Sequence, residues 1–246
     1  MQHLGFTRTS VKHDHALLTP DSFIRAAFPG DSGATRVVHL SPPLGAAFTM
    51  YTIEASVSAV IAPQLEGHSA FVMVLEGEFS LKLGKKTHQL SARGYAFIPA
   101  NVAMQLISKT GGRAVVFEKP YQQLEGVNPP AAFVRDSSAV VKSALNDDPA
   151  LQVQLLLPSD TGFDFAVNIM NFQPGAHLHL VETHVMEHGL LMLTGGGIYR
   201  LGDAFYPVTQ GDVIYMAPYC PQWFGALGKT PSSYLLYKDW NRHPLE

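Results

Sequence analysis

Short apolar or alternating runs recur along the chain, and Gly, Pro and Asn separate them. Alternation with a period of two is typical of half-buried strands, and Gly and Pro mark turns. Two stretches have helix-like spacing instead, DSFIRAAF (21–28) and SSAVVKSAL (137–145). The predicted strands lie in AAFTMYTIEA (46–55), AFVMVLEGEFSLKL (70–83), GYAFIPA (94–100), GRAVVFEKP (112–120), DFAVNIMNF (164–172), LLMLTGGGIYRL (190–201), GDVIYMAP (211–218) and SSYLLYKDW (232–240). Many short strands predict an all-β sandwich or barrel fold.

The two halves of the chain resemble each other. In the first half, Gly77 ends V-L-E-G, and a strand, a turn and a second strand lead to Gly94. In the second half, Gly195 ends M-L-T-G, and the same series leads to Gly211. The separations of 17 and 16 residues indicate a duplication and therefore two tandem β-barrels.

We expect an N-terminal barrel over 1–130 and a C-terminal barrel over 131–246, joined by the Pro-bearing stretch around 120–150. The net charge is −3 and there is no basic run, so nucleic acid is excluded as a partner. No apolar stretch reaches the ~20 residues of a membrane span, and the first 20 residues lack a signal-peptide core. The single cysteine excludes an intrachain disulfide. These features predict a cytoplasmic protein.

Candidate metal ligands cluster in V-E-T-H-V-M-E-H-G (181–189). On a strand, Glu182, His184 and His188 share one face, so their side chains can converge, whereas Glu187 points away. The order H-V-M-E-H differs from the H-E-x-x-H zinc-protease motif, and flanking glycines and Pro174 favour a strand over a helix. The alternative is a solvated edge strand that carries His and Glu by chance.

Three nearby residues receive structural interpretations. His177 and His179 have the opposite parity to Glu182, so we expect them to face outward unless a bulge intervenes. Cys220 is expected to be a small buried residue, since nothing indicates a lowered thiol pKa.

The glycine frame around these residues resembles the two cupin motifs. Gly175 precedes Glu182 by seven residues, His188 precedes Gly195 by seven, and Gln222 follows Gly211 by eleven. The resemblance implies a jelly-roll barrel, whose strands aim alternate residues into the lumen. Its ligand positions fall on Glu182, His184, His188 and Gln222.

Two imidazoles, one carboxylate and one amide oxygen form a mixed nitrogen and oxygen donor set. Such a set suits Mn²⁺ or Fe²⁺ better than a structural zinc, which usually takes thiolates in a closed tetrahedron. Four ligands leave about two positions of an octahedral ion for a substrate.

The first half provides no comparable donor set. Matching the glycines of the two halves places Gln64, Glu66 and Ala70 at three ligand positions and Gln105 opposite Gln222. No imidazole remains, so we expect a metal-free barrel kept for packing and assembly.

The last predicted strand adds polar groups. Tyr234 and Lys238 share parity and could face the same lumen, whereas Tyr237 and Asp239 would face elsewhere. An interior lysine needs an anionic partner, which indicates a small acid as substrate. The alternative is a structural Lys–Glu pair.

The second half resembles one bicupin family, the (S)-ureidoglycine aminohydrolases of allantoin and purine degradation. The resemblance lies in V-E-T-H-V-M-E-H-G-L, I-Y-R-L, A-P-Y-C-P-Q and Y-L-L-Y-K-D-x-N-R, and more weakly in H-A-L-L-T-P-D (15–21) and S-P-P-L-G-A-A-F (41–48). Most cupins have His where this chain has Glu182 and Gln222. The H-L-H of 177–179 departs from the expected, less polar pattern.

The resemblance implies hydrolysis of (S)-ureidoglycine to (S)-ureidoglycolate and ammonia with manganese on the four ligands. Substrate contacts would fall on Tyr199, Tyr234 and Lys238, and catalytic roles on Glu182 and Lys238. Members of this type often assemble into homo-oligomers. Two alternatives stay open: a metal-dependent cupin dioxygenase or isomerase acting on another small acid, and a non-catalytic cupin that binds a small ligand.

Overall fold

The computed structural model describes residues 6–62 and 64–242, and within them the chain is all-β with no α-helix. Short 3₁₀ helices span Pro20–Ser22, Pro42–Leu44 and Ser137–Ala139. The strands are β1 (Ser10–Val11), β2 (His15–Leu18), β3 (Ser32–Leu40), β4 (Thr49–Ile61), β5 (His68–Leu83), β6 (Lys86–Ser91), β7 (Gly94–Ile98), β8 (Met104–Pro120), β9 (Phe133–Asp136), β10 (Ser143–Leu145), β11 (Asp148–Leu155), β12 (Phe165–Phe172), β13 (His188–Thr194), β14 (Gly196–Leu201), β15 (Ala204–Thr209), β16 (Val213–Met216), β17 (Gln222–Ala226) and β18 (Ser232–Asp239). The described part of the chain contains no helix long and apolar enough to cross a bilayer.

The N-terminal unit comprises Ile24–Val140 and Asp160–Asp164. Its antiparallel sheet has the order β3-β4-β8-β5-β7-β9, with β6 paired to β5. The register of β5 against β8 shifts on both sides of Gly77, so one long strand bends within the sheet. The buried side chains form one apolar cluster, which includes Tyr51, Ile53, Val72, Phe79, Ile98 and Leu106.

The C-terminal unit comprises the described residues of Met1–Phe23, Val141–Ser159 and Phe165–Glu246. Its larger sheet has the order β1-β2-β16-β13-β18-β12-β11-β10, and a smaller sheet has the order β15-β14-β17. Alternate residues of both sheets form its core, which includes Leu17, Phe172, Leu190, Tyr199, Phe224 and Tyr234.

The strand registers repeat the duplication predicted from the glycines. In the C-terminal unit, β13 lies between β16 and β18, and His188 pairs with Lys238. In the N-terminal unit, β5 pairs with β7 and β8, and Ala70 pairs with Glu118. The predicted match of Ala70 with His188 therefore extends to the partner strand, where Glu118 corresponds to Lys238.

The boundaries of the two units differ from the expected 1–130 and 131–246. The N-terminal strand β2 pairs with β16, Met216 opposite His15, and so belongs to the C-terminal unit. Strand β9 pairs with β7 and belongs to the N-terminal unit. Pairing between strands about 200 residues apart leaves no mark in local periodicity, so the sequence pattern could not reveal it.

Both helix predictions are wrong. In 21–28, the backbone of Ala26 pairs with Arg36 through hydrogen bonds of 3.1 and 2.9 Å, so sheet pairing replaces helix formation. In 137–145, Asp136 accepts a hydrogen bond from the Ser138 N–H and caps a single 3₁₀ turn. The β-branched Val140 then takes an extended conformation.

Candidate functional site

The first pair of candidate ligands is held by backbone hydrogen bonds. The N–H of Glu182 donates to the carbonyl of Gln222, the N–H of Gln222 donates to that of Glu182, and both distances are 2.8 Å. This isolated antiparallel bridge places the two side chains next to each other. Gln222 begins β17 and is buried, whereas Glu182 is half-buried.

The two histidines lie beside this bridge. His188 begins β13 and is buried, and its ring stacks on that of His184 with centroids 5.2 Å apart and an interplanar angle of 22°. The Nε2 of His184 lies 3.1 Å from the Oε2 of Glu182. The structure therefore brings together the four predicted ligand residues.

The predicted continuous strand through 181–187 is wrong. Only Glu182 makes a bridge there, His184 lies in a loop, and β13 starts at His188. The N–H of Tyr219 donates to the carbonyl of His184 at 2.6 Å and anchors the loop. The side chains converge because this loop is tied to the segment before Gln222, and strand parity alone does not explain the grouping.

His188 is held in its neutral form. Its Nδ1 lies 3.0 Å from the carbonyl of Met186, so Nδ1–H donates and Nε2 carries the lone pair. Burial lowers the pKa of His188 to about 3, and the positive charges of His184 and Lys238 act in the same direction. A neutral imidazole with one bonded nitrogen is the usual form of a metal-ligating histidine.

Two tyrosines are fully buried next to these donors. The hydroxyl of Tyr199 donates to Oε1 of Gln222 at 3.3 Å, and the two tyrosine rings lie 6.3 Å apart. Burial raises the pKa of both Tyr199 and Tyr234 above the usual range, and the charge of Glu182 adds to the effect. Both hydroxyls therefore stay protonated at neutral pH and act as hydrogen-bond donors.

Lys238 lies opposite His188 on β18. Its Nζ is 4.3 Å from the centre of the Trp240 ring, a cation–π contact, and within the described residues it forms no ion pair with a carboxylate. Burial lowers the pKa of Lys238, while the charge of Glu182 opposes that effect. The sequence prediction did not assign a role to Trp240, which directly follows β18, although its i,i+2 spacing from Lys238 was a signal.

Several known proteins resemble this chain. No family model matches it. A probable (S)-ureidoglycine aminohydrolase of Oryza sativa subsp. japonica is 41% identical over 98% of this chain and 78% of the relative. The (S)-ureidoglycine aminohydrolase of Arabidopsis thaliana is 40% identical over 98% and 80%, and that of Escherichia coli is 32% identical over 96% and 92%.

The chain belongs to the (S)-ureidoglycine aminohydrolase family. It is therefore a hydrolase.

Solved structures agree with this assignment. Protein Ylba from E. coli matches this family member with a TM-score of 0.87 and 30% identity over 96% of both chains. A putative glyoxylate-induced protein from Pseudomonas aeruginosa gives 0.90 and 30% over 99% of this chain and 94% of that one. A mutant of Bacillus subtilis oxalate decarboxylase gives 0.74 at 8% identity over 95% and 79%, a likeness of fold alone. The predicted all-β bicupin fold is confirmed.

The outward orientation predicted for two histidines of this family member is confirmed, since His177 and His179 are exposed. The Nδ1 of His177 lies 2.8 Å from the carbonyl of Leu178, and the Nε2 of His179 lies 3.4 Å from a carboxylate oxygen of Asp148. Glu187 is buried and accepts a hydrogen bond from the Tyr215 hydroxyl.

The residues matched to the ligands in the N-terminal unit have other surroundings. The side-chain amide of Gln64 donates to the carbonyl of Val102 and accepts from the N–H of Met104. Its polar atoms therefore bond to the backbone of the segment that begins β8. Ala70 is buried, and Glu66 and Gln105 are exposed. Gln105 thus differs from the buried Gln222, with which the glycine spacing had matched it.

Cys220 is buried, as predicted, and burial raises the pKa of its thiol to about 11. It lies beside Asp14 and His15, two residues that sequence analysis did not connect with it. The H-D-H order of 13–15 was a signal, but only the pairing of β2 with β16 places it near Cys220.

The donor set of this family member fits a divalent cation. A neutral imidazole nitrogen, a second imidazole, a carboxylate and an amide oxygen match the preferences of Mn²⁺ and Fe²⁺. The Tyr199 hydroxyl orients the amide oxygen of Gln222, and the donor atoms of Glu182 and His184 lie next to each other at 3.1 Å.

Proposed function

We propose that the chain hydrolyses (S)-ureidoglycine to (S)-ureidoglycolate and ammonia as a step of purine degradation, with Mn²⁺ bound by Glu182, His184, His188 and Gln222. The observation that supports this best is the ammonium of Lys238, which lies by the ligand cluster without a carboxylate partner among the described residues. A substrate carboxylate would supply the missing charge. We infer (S)-ureidoglycine as the substrate because the relatives are named (S)-ureidoglycine aminohydrolases.

When bound, manganese would supply Lewis acidity and a template that orients the oxygen atoms of the substrate. Lys238 holds the carboxylate of the substrate by a charge-assisted hydrogen bond. Tyr234 donates a hydrogen bond to the substrate, and the oxygen of Tyr199, whose proton goes to Gln222, accepts one. Together they discriminate between the two configurations at the reacting carbon.

Glu182 is the proton acceptor of the reaction in this proposal. Water attacks the carbon that carries the amino group, a C–O bond forms, and the C–N bond breaks. Glu182 takes the proton of the attacking water and returns it to the departing ammonia, so atoms and charges balance. Its half-buried position and its contact with His184 leave one face of the carboxylate accessible.

The test is ammonia release from (S)-ureidoglycine by protein treated with a chelator, with and without added Mn²⁺. We expect turnover to return with the metal and the product to be the S enantiomer, because an uncatalysed loss of ammonia has no stereochemical preference. Turnover that is equally fast without metal would contradict the manganese requirement. A racemic product would contradict the proposed substrate site.

Two pairs of histidines on one segment provide the matched control. Replacing His184 and His188 with Ala should abolish manganese binding, because it removes both imidazole donors. Replacing the exposed His177 and His179 with Ala should leave metal content and turnover almost unchanged. Loss of metal in the second double variant would show that the assigned ligands are wrong.

A further inference from the structure

A second cluster of metal-ligating side chains lies apart from the four proposed manganese ligands. A carboxylate oxygen of Asp14, a ring nitrogen of His15 and the sulfur of Cys220 lie within 4.8 Å of one another. Among the described residues, no other three His, Cys, Asp or Glu side chains are brought together this closely. The reaction proposed above uses none of the three.

Backbone hydrogen bonds fix the two segments that carry this cluster. The N–H of Ala217 donates to the carbonyl of Asp14 at 2.9 Å, and the N–H of Cys220 donates to the carbonyl of Ala217 at 3.1 Å. His15 is paired with Met216 in the sheet. His15 therefore lies on a strand, whereas Asp14 and Cys220 lie in short connections that these hydrogen bonds tie together. His15 and Cys220 are 6% and 3% exposed. Rigid support of this kind lowers the entropic cost of binding an ion.

His15 is oriented on both sides. Its Nδ1 lies 2.8 Å from a carboxylate oxygen of Asp14, and its Nε2 lies 2.8 Å from the hydroxyl of Tyr206. In the metal-free protein Nδ1–H donates to the carboxylate and the Tyr206 hydroxyl donates to Nε2. A cation bound at Nδ1 replaces that proton, and Nε2–H then donates to Tyr206. A histidine ligand typically has one nitrogen on the metal and the other held by a hydrogen bond, which fixes the tautomer.

We propose that Asp14, His15 and Cys220 form a second metal site, selective for Zn²⁺ over Mn²⁺. A thiolate and an imidazole are preferred ligands of zinc, whereas manganese favours carboxylate and other oxygen donors. The Cys220 thiol releases its proton when the cation binds, and the cation supplies the positive charge that stabilises the buried thiolate. His13 lies outside this group, but its Nδ1 is 3.6 Å from Asp14 and its side chain is 93% exposed, so it is near enough to complete a tetrahedral site.

The site has a structural consequence for the C-terminal unit. It links the start of β2 to the turn before β17, and Gln222 follows Cys220 by two residues. A metal there joins two segments that are far apart in the sequence and so stabilises the folded state by binding it alone. The inference does not depend on the proposed reaction.

Cobalt titration tests this site directly. Co²⁺ replaces zinc in tetrahedral sites and gives an absorption band when a thiolate binds it. Cys220 is the single cysteine of the sequence, and the proposed manganese ligands include no sulfur. We expect the full-length protein to develop the band at about one Co²⁺ per chain, and excess Zn²⁺ to displace it. We also expect Zn²⁺ to raise the melting temperature.

Variants identify the ligands. Cys220→Ser should abolish the band, and His15→Gln and Asp14→Asn should each weaken cobalt binding at least about tenfold. His184→Ala should retain the band, because it affects only the other site. Metal-free melting temperatures of the variants serve as the folding control.

Two results would overturn the proposal. One is the absence of a thiolate band in wild-type protein whose thiol is shown to be reduced. The other is a band that persists unweakened in both His15→Gln and Asp14→Asn, since that would reduce the site to a lone cysteine. Neither result bears on ammonia release, so the second site and the reaction fail separately.

Discussion

The partly buried ammonium of Lys238 supports an anionic substrate. It lies over the ring of Trp240. The charge that opposes the lowering of its pKa is that of Glu182, a proposed metal ligand. The sequence predicted that an interior lysine on this strand needs an anionic partner, either a small acid as substrate or a structural glutamate. No described carboxylate lies within ion-pair distance of Lys238, which supports the proposed contact with a substrate carboxylate.

Lys238→Met should retain manganese and lose on the order of 2–5 kcal/mol of transition-state interaction, the range for truncating one member of a buried charge pair. Lys238→Arg should restore little, since a planar guanidinium does not fit a site shaped for a point charge. The measurement is kcat/KM together with metal content and melting temperature. The exposed Lys229→Met is the matched control. Near-normal kcat/KM in Lys238→Met would eliminate the substrate contact.

The burial of His39 predicts how the stability of the protein depends on pH. It is buried in the N-terminal unit with Nε2 2.8 Å from the Thr52 hydroxyl, and burial lowers its pKa from 6.5 to about 4. The unfolded chain therefore binds a proton more readily than the folded one between these values. Stability is fully present above pH 6.5 and falls as the pH approaches 4, by about 2 kcal/mol between pH 7 and pH 5.

Denaturant unfolding at several pH values checks this prediction. The free energy of unfolding of His39→Gln should fall less steeply between pH 7 and pH 5 than that of wild type. His177→Gln, at an exposed position, should retain the wild-type slope. An unchanged slope in His39→Gln would show that His39 is not the group that titrates.

At the scale of elements, the bend in β5 depends on a glycine. Gly77 has φ +81°, and a Cβ there would lie 2.0 Å from the carbonyl oxygen of Gly111 on β8. Gly84 also has positive φ, +57°, but a Cβ there would meet nothing within 4 Å. The two positions share the backbone strain of a non-glycine residue and differ in the steric clash.

Gly84→Ala should therefore cost about 1 kcal/mol of stability. Gly77→Ala should cost about 1–3 kcal/mol more, because β5 and β8 must move apart. Thermal and denaturant unfolding of the two variants measure the difference. Equal losses would mean that the close approach at Gly77 is relieved without cost.

The strands could be predicted from the sequence where alternation was regular. The pattern in 70–83 corresponds to β5, and that in 232–240 corresponds to β18. The pattern failed where long-range hydrogen bonds decide the conformation, as at Ala26 and in 181–187. The motif predicted that the four candidate ligands lie near one another, but the bridge between Glu182 and Gln222 depends on tertiary structure.

At the scale of the whole molecule, the duplication predicts the manganese stoichiometry. Only the C-terminal unit presents two imidazoles at the matched positions, while Gln64 in the N-terminal unit bonds to the backbone. Protein loaded with Mn²⁺ and passed through a desalting column should contain about one manganese per chain. His188→Ala should lower the value towards zero. A value near two would show that the N-terminal unit also binds the metal.

The pairing of β2 with β16 also affects how the protein is made. Arg8 forms two hydrogen bonds, of 2.6 and 2.8 Å, with the buried carboxylate of Asp212, a partner 204 residues later. Strand β2 therefore cannot pair in the sheet until β16, about 200 residues later, has been synthesised. Without β2, β16 has a neighbour on one side only, so a fragment that begins at residue 131 would keep the other edge open to pairing with other chains.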